Sequence, residues 1–440
     1  MRPGFRLLVI TLMALLVGAT ELYAQQRPQR PYHGLFGGGE VSTARTQSLD
    51  LNVSFGGGYD TNVLATEAIA ADANVDAGDS SFALANGTLA YNLRRERLQL
   101  AATGMGSSTY YPSFENPWIQ RGGASVSAAW QLTGRTSVAF TESFSYDPFY
   151  SLLPVPPGGP PLDDPLLDTA HALQFDPRRN FGSTLRLSHS LTQRVSLYAE
   201  GSYYSSHSKN EAFDLVSRQF ATGVSWTLTR DLSLRLGYRR STGDFGSEEN
   251  GTDSTATSHA LDGGVDYNHA FSLSRRTTLG FRTGFAGVND GESTTYSLVG
   301  QVALTHGIGR SWSTSLTAGR DVQFVQLLRR AVFADTITAS LGGALSRRVQ
   351  VSASSSFSRG TPGPVAGQDA YRNAFTGASA SWAISRNVSS SVNYTFYWYD
   401  FTLALPGLGL PGENHRQSIS GQIHLWAPLF QRPRRPNATR

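Results

Sequence analysis

The chain has 440 residues, of which 16% are charged and 11% aromatic, with 45 glycines, a net charge of +4 and no cysteine. That excludes disulfides, thiol catalysis and cysteine-ligated metals. No basic run exceeds two residues outside the C-terminal tail, which argues against nucleic acid as a partner; Lys209 is the one lysine, and arginine carries the remaining basic charge. Glycine, serine and threonine are abundant, a composition poor for helices and good for strands.

In chain order, residues 1–24 read as a secretory signal: Arg2 and Arg6, an apolar core from Leu7 to Val17, and a cleavage site at Leu22-Tyr23-Ala24. No later stretch reaches the roughly 18 apolar residues a membrane helix needs. Residues 25–45, with Arg27-Pro28 and Arg30-Pro31, form a proline-rich periplasmic lead-in. Then come about eighteen strand-like runs (sixteen is the alternative). They lie near 46–59, 80–93, 97–110, 120–132, 136–149, 178–191, 195–205, 216–228 and 232–243, then 257–273, 277–287, 293–306, 311–322, 334–345, 349–359, 370–384, 388–401 and 416–430. Most are long enough for a tilted strand to span a bilayer.

The runs alternate. Leu232, Leu234, Leu236 and Tyr238 oppose Ser233, Arg235, Gly237 and Arg239, so one face is apolar and the other polar. A soluble sandwich would show the same periodicity, its apolar faces packed together. The connections decide between the two. Short turns recur at Arg94-Arg95-Glu96, Thr133-Gly134-Arg135, Thr192-Gln193-Arg194, Thr229-Arg230-Asp231, Ser274-Arg275-Arg276, Gly307 to Arg310, Ser346-Arg347-Arg348 and Ser385-Arg386-Asn387. One longer connection separates each from the next. Tight and ragged ends in alternation are the signature of an all-β, transmembrane antiparallel up-and-down β-barrel. The expected location is the outer membrane of a Gram-negative bacterium, with short turns and both termini in the periplasm. Partners would be outer-membrane lipids and the barrel assembly machinery, to which the terminal Leu425-Trp426-Ala427-Pro428-Leu429-Phe430 is similar in signal. Residues 46–430 form the barrel and 431–440 a basic periplasmic tail.

Four local features need an explanation. Glu142 shares the parity of Val138, Phe140 and Phe144, a conflict that a bulge or a parity change near the membrane edge would resolve. Segment 80–93 changes phase midway. Pro428 requires a terminal or edge-like ladder position. Gly56-Gly57-Gly58 reads as a strand portion with little bulk where something packs close. Asp60 and Asn62 beyond it offer two oxygen ligands, far below what calcium requires.

No catalytic pattern emerges. The nine histidines are scattered, and neither His-Glu-x-x-His nor Gly-x-Ser-x-Gly occurs. An enzyme is not expected, and neither is a cofactor or a metal. Parity instead points Arg97, Gln99, Arg186, Glu200, Arg235, Arg239, Asp262, Asp266, Arg282 and Gln301 into the lumen as candidate pore-lining residues. With arginine in excess, they suit an aqueous pore with a mild preference for anions or polar neutral solutes; any wide barrel interior is polar in the same way. Inward Tyr198 and Tyr397 offer rings for sugars. The loop carrying Pro154, Pro156, Pro157, Pro160 and Pro161 is a candidate constriction, or else a stiff exposed loop.

Residues Gly57-Gly58-Tyr59-Asp60-Thr61-Asn62-Val63 resemble the opening strand of the outer-membrane β-barrel porin group, many of whose members accompany exopolysaccharide synthesis and export. The resemblance implies a porin-like protein serving polysaccharide passage and assigns no functional residue. The expected function is passive passage of polar solutes. The alternatives are a non-conducting accessory barrel docked to periplasmic polysaccharide export components and, less favoured, an outer-membrane hydrolase.

Overall fold

The computed structural model describes residues 45–61, 79–113, 117–151, 172–208, 214–229, 231–246, 254–267, 277–291, 293–309, 311–326, 328–361, 370–400 and 413–433. They form eighteen antiparallel strands, β1 to β18 in chain order, from β1 (Arg45–Asp60) to β18 (Glu413–Pro433). Each strand pairs with its sequence neighbours, and β1 also pairs with β18, so the sheet closes into a barrel without edges. The expected signal peptide, the expected lead-in before Arg45, the proline loop 154–161, the Ser274-Arg275-Arg276 turn and residues 434–440 lie outside the described residues.

Alternation sorts the side chains onto two faces. Phe55, Leu89, Phe144, Phe220, Leu236, Leu261, Phe285, Leu304, Ile337, Val392 and Ile423 all stand exposed on the outside. Trp130, Trp226 and Trp382 mark the short-turn end of this belt, one residue inside the ends of β4 (Trp118–Gln131), β8 (Leu215–Thr227) and β16 (Tyr371–Ala383). Trp118, its ring tilted against that of Tyr110 at 5.0 Å, marks the other end. An apolar belt between aromatic girdles on a closed barrel is a lipid-facing surface.

The short turns repeat one device, and its constant member is a hydroxyl. Thr133 Oγ1 accepts from the backbone N–H of Arg135 and Thr136 at 3.2 and 3.0 Å. Thr192 does the same for Arg194 and Val195, Ser346 for Arg348 and Val349, and Ser385 for Asn387 and Val388. The hydroxyl satisfies two amide groups that the tight reversal leaves without a ladder partner. Arginine fills the exposed positions of the same turns.

The barrel closes where the glycine run lies. A Cβ on Gly56 would fall 2.2 Å from the carbonyl oxygen of Gly421, and one on Gly58 2.1 Å from that of Ile419. The ring of Phe82 covers Gly58 from inside. Phe82 and Leu84 of β2 (Ser80–Arg94) are buried on the inner face while Leu89 is exposed outside, and β1 pairs with β2 without a shift. The apparent phase change in 80–93 is therefore apolar packing on both faces. Arg416 holds Asp60 through Nε–Oδ1 at 2.8 Å and Nη2–Oδ2 at 2.5 Å, with the Asp60 and Arg416 side chains 2% and 4% exposed. Tyr111 donates to the same carboxylate at 3.4 Å, and burial raises its phenol well above the ordinary tyrosine range. Thr61 adds backbone and side-chain bonds to Gln417.

The structure places three local features. Glu142 sits within the unbroken β4–β5 register, opposite Val126, and shares the parity of exposed Phe144, so it faces outward without a bulge. Pro428 lies inside β18, beyond the last β17 partner at Leu425 and beside a register shift against β1 that skips Leu429. The strand continues to Pro433 and takes in the first residues of the expected tail.

Candidate functional site

Nine of the ten expected lining residues occupy inward positions on their strands; Arg97 sits instead in the β2–β3 turn, exposed, its carbonyl accepting from Gln131 N–H. Arg186 of β6 (Ala172–Ser190) reaches Glu200 of β7 (Val195–Ser208) at 3.5 Å. Arg235 of β9 (Leu232–Phe245) grips Asp266 of β10 (Ser254–Tyr267) at 2.6 Å. Gln99 and Gln301 share the inward parity, opposite Arg94 and Arg282 in the ladders. The Tyr198 ring lies across Gly223 and Gly237, where a Cβ would meet it at 2.6 and 3.0 Å, and Arg186 covers it at 4.9 Å. Tyr397 is buried against Tyr399 at 5.8 Å. These contacts occupy the ring faces expected to take sugars.

The constriction comes from a hairpin. Strand β12 (Thr294–Ile308) pairs with β13 (Trp312–Val325) only from Ile308↔Trp312 to Gly300↔Arg320. Beyond Arg320, β13 leaves its β12 partner, while β14 (Arg330–Ala344) stays paired with β15 (Val349–Thr361) as far as Phe333↔Thr361; the hairpin from Asp321 to Val332 turns into the lumen. Its pairing stays intact as far as Val325↔Arg330. At the bend Arg320 and Arg359 clamp Asp335 on the outer face, at 2.6 and 3.0 Å.

Inside, the side chains that would have faced lipid pack on the wall instead. Val322, Phe324, Ala331 and Phe333 join Leu215, Phe245, Ala256, Ala260, Ala286, Val288 and Val299 in one buried apolar cluster. Phe324 meets Phe245 edge-on at 6.3 Å and covers Gly243. Polar tethers surround it. Asp321 takes two bonds from Arg239, at 2.7 and 2.9 Å, and one from Arg282 of β11 (Thr277–Asn289), at 3.2 Å. Gln326 accepts from Arg178 at 3.1 Å, and Gln323 from Tyr371 at 3.2 Å. At the tip, Arg329 has a φ of 48°, a left-handed conformation uncommon for a non-glycine residue.

Asp321, Gln323, Phe324, Gln326, Arg178 and Tyr371 were not among the residues expected from sequence. The signal was present. Val322, Phe324 and Val325, then Ala331, Val332, Phe333 and Ala334, are apolar on both parities, the mark of a segment buried on both faces rather than a loop. With Arg97 removed and Asp321 added, Arg186, Arg235, Arg239 and Arg282 face Glu200, Asp262, Asp266 and Asp321. In this band arginines and carboxylates are equal in number, and Arg178 stands on the inner face beyond it, at Gln326.

Closed barrel, lipid-facing belt and polar interior define a β-barrel protein of the bacterial outer membrane, here with a hairpin folded into its lumen. No family model matches the chain, and no curated protein matches it. Solved structures to which it is similar include the siderophore receptor PirA from Acinetobacter baumannii, at 8% identity and a TM-score of 0.45 over 87% of this chain and 81% of that one. Pseudomonas aeruginosa OpdQ matches at 10% identity and a TM-score of 0.45, over 87% and 99% of the two chains. Acinetobacter baumannii OccAB3 matches at 7% and 0.42, over 87% and 99%. At such identities the passing solute has to be argued from this chain's own residues.

Proposed function

We propose that this protein is a passive outer-membrane channel for small polar solutes, its short turns in the periplasm and its long connections outside. The observation that carries this reading is the folded-in hairpin. Eighteen strands enclose a lumen wide enough for water, and one tethered hairpin narrows it without needing a separate plug domain. The balanced band of arginines and carboxylates below the hairpin supports passage of polar molecules with little selection by charge. The exopolysaccharide association implied by the porin-group resemblance does not enter this reading: within that motif, Gly58 and Asp60 have contacts that serve barrel closure.

Reconstitution into planar bilayers tests it. The folded protein should give discrete conductance steps with a near-zero reversal potential in a salt gradient of ions of equal mobility. Replacing Val322–Ala334 with a short Gly-Ser turn should raise the step size. A folded barrel that shows no conductance in either form refutes the channel.

A further inference from the structure

We propose that the seat beneath the β13–β14 hairpin is a binding site for an amphipathic carboxylate, one carboxylate bearing a chain of several methylenes, and that the hairpin occupies the site as an internal stand-in. This goes beyond the channel reading, adding one saturable site to a lumen that otherwise selects little by charge, and its test is separable from the test of conduction.

The hairpin shows what the seat takes. A carboxylate, Asp321, lies on two arginines of different strands, Arg239 and Arg282. The chain then runs from that carboxylate through Val322 and Phe324 along an apolar wall that includes Phe245, Ala260, Ala286 and Val299. The wall continues the inner face of β8 to β12 above the polar band that Arg235, Asp262 and Asp266 form. A small inorganic anion would satisfy the arginines and leave the wall unused. A neutral sugar would match neither part. A cationic foot below an apolar wall fits a carboxylate with an alkyl tail.

The seat also borders the membrane. Its wall includes Val299, in the part of β12 beyond the last β13 partner, Gly300, and on the outside of that same stretch Tyr296 and Leu298 stand 64% and 62% exposed. Gly300 is eight residues above Ile308, about 20 Å along the barrel axis for a strand tilted by about 40°. That height falls near the upper edge of an apolar band about 25 Å tall. An amphiphile arriving from the outer leaflet would meet the seat at this opening.

Because the hairpin must withdraw before the site is free, apparent affinity is lowered by the fraction of time the hairpin stays in place. That gives the proposal an unusual signature: removing the internal carboxylate should strengthen binding. The probe is decanoate, titrated calorimetrically against the detergent-solubilised full chain, with decanol and acetate as controls. The wild type should bind decanoate saturably and at least tenfold more tightly than either control. Asp321→Asn should tighten decanoate binding several-fold, and Arg239→Gln combined with Arg282→Gln should weaken it at least tenfold.

The chain contains no cysteine, so Phe245→Cys with Phe324→Cys introduces a unique pair. Joining it with a short bis-maleimide should abolish binding that the same variant shows before cross-linking. Unsaturable binding, indifference to the arginine substitutions, or unchanged binding after cross-linking overturns the proposal. Heat-modifiable gel migration confirms that each variant is folded, and Asp321→Asn decides the matter alone if the arginine pair does not fold. Conductance with no decanoate binding refutes this site and leaves the channel standing; binding without conductance does the reverse.

Discussion

Removing the carboxylate of Asp60 should weaken the whole barrel, because Asp60 and Arg416 fasten the last strand to the first. Asp60→Asn keeps the volume and one acceptor but leaves the Arg416 guanidinium without its counter-charge at 4% exposure. Two unit charges about 4 Å apart attract by roughly 4 kcal/mol at an effective dielectric near 20. Breaking one side of a buried pair costs about 3–5 kcal/mol. The two figures agree, so Asp60→Asn should destabilise the barrel by about 3–5 kcal/mol. Replacing both members with apolar residues of similar size, Asp60→Leu with Arg416→Met, should recover most of that loss, since neither charge is then stranded. Tryptophan fluorescence during guanidinium unfolding of the bilayer-reconstituted protein measures both. An Asp60→Asn barrel as stable as the wild type refutes the argument, as does a double variant less stable than the single one.

Other consequences follow from the turns, the belt and the hairpin. Ser346→Ala should destabilise the barrel by about 0.5–1 kcal/mol through loss of the hydroxyl that accepts from two amide N–H groups, while Arg347→Ala should leave stability unchanged; the reverse order in unfolding midpoints would make arginine the structural residue. Glu142→Leu should stabilise the barrel in bilayers by about 1 kcal/mol, because an outward carboxylate is costly near hydrocarbon; a loss of stability in the same unfolding assay would show that Glu142 makes a needed contact. Asp321→Asn should release the hairpin from Arg239 and Arg282, a partly wet pairing worth about 1 kcal/mol, and so raise the frequency of the larger conductance level severalfold in single-channel records. An unchanged record would mean that the apolar seat alone holds the hairpin.

Period-two alternation and the spacing of tight turns were enough to give eighteen strands, their pairing order and the two faces, because in an up-and-down barrel every pair of neighbouring strands except the closing one, β1 with β18, is also adjacent in sequence. Strand runs expected near 136–149, 195–205 and 388–401 appear at Thr136–Ser151, Val195–Ser208 and Val388–Asp400. The same local logic placed Arg186, Glu200, Arg235, Arg239, Asp262, Asp266 and Arg282 on the inner face. It emphasised arginine in the turns, where the hydroxyl of Thr133, Thr192, Ser346 or Ser385 makes the recurring bonds.

Long-range partners were beyond its reach. Asp60 meets Arg416 across 356 residues, and Arg178 meets Gln326 across 148; no periodicity encodes such pairs. Parity assumes that a strand stays in the wall. At Asp321 the wall is left, and the lipid-facing parity of Val322 and Phe324 becomes a lumen contact. Sequence alone determined a barrel with a polar inside. Tertiary structure decided which segment fills that inside, because only closure of the sheet brings the apolar patch of β8 to β12 opposite a hairpin with no other place to bury its face.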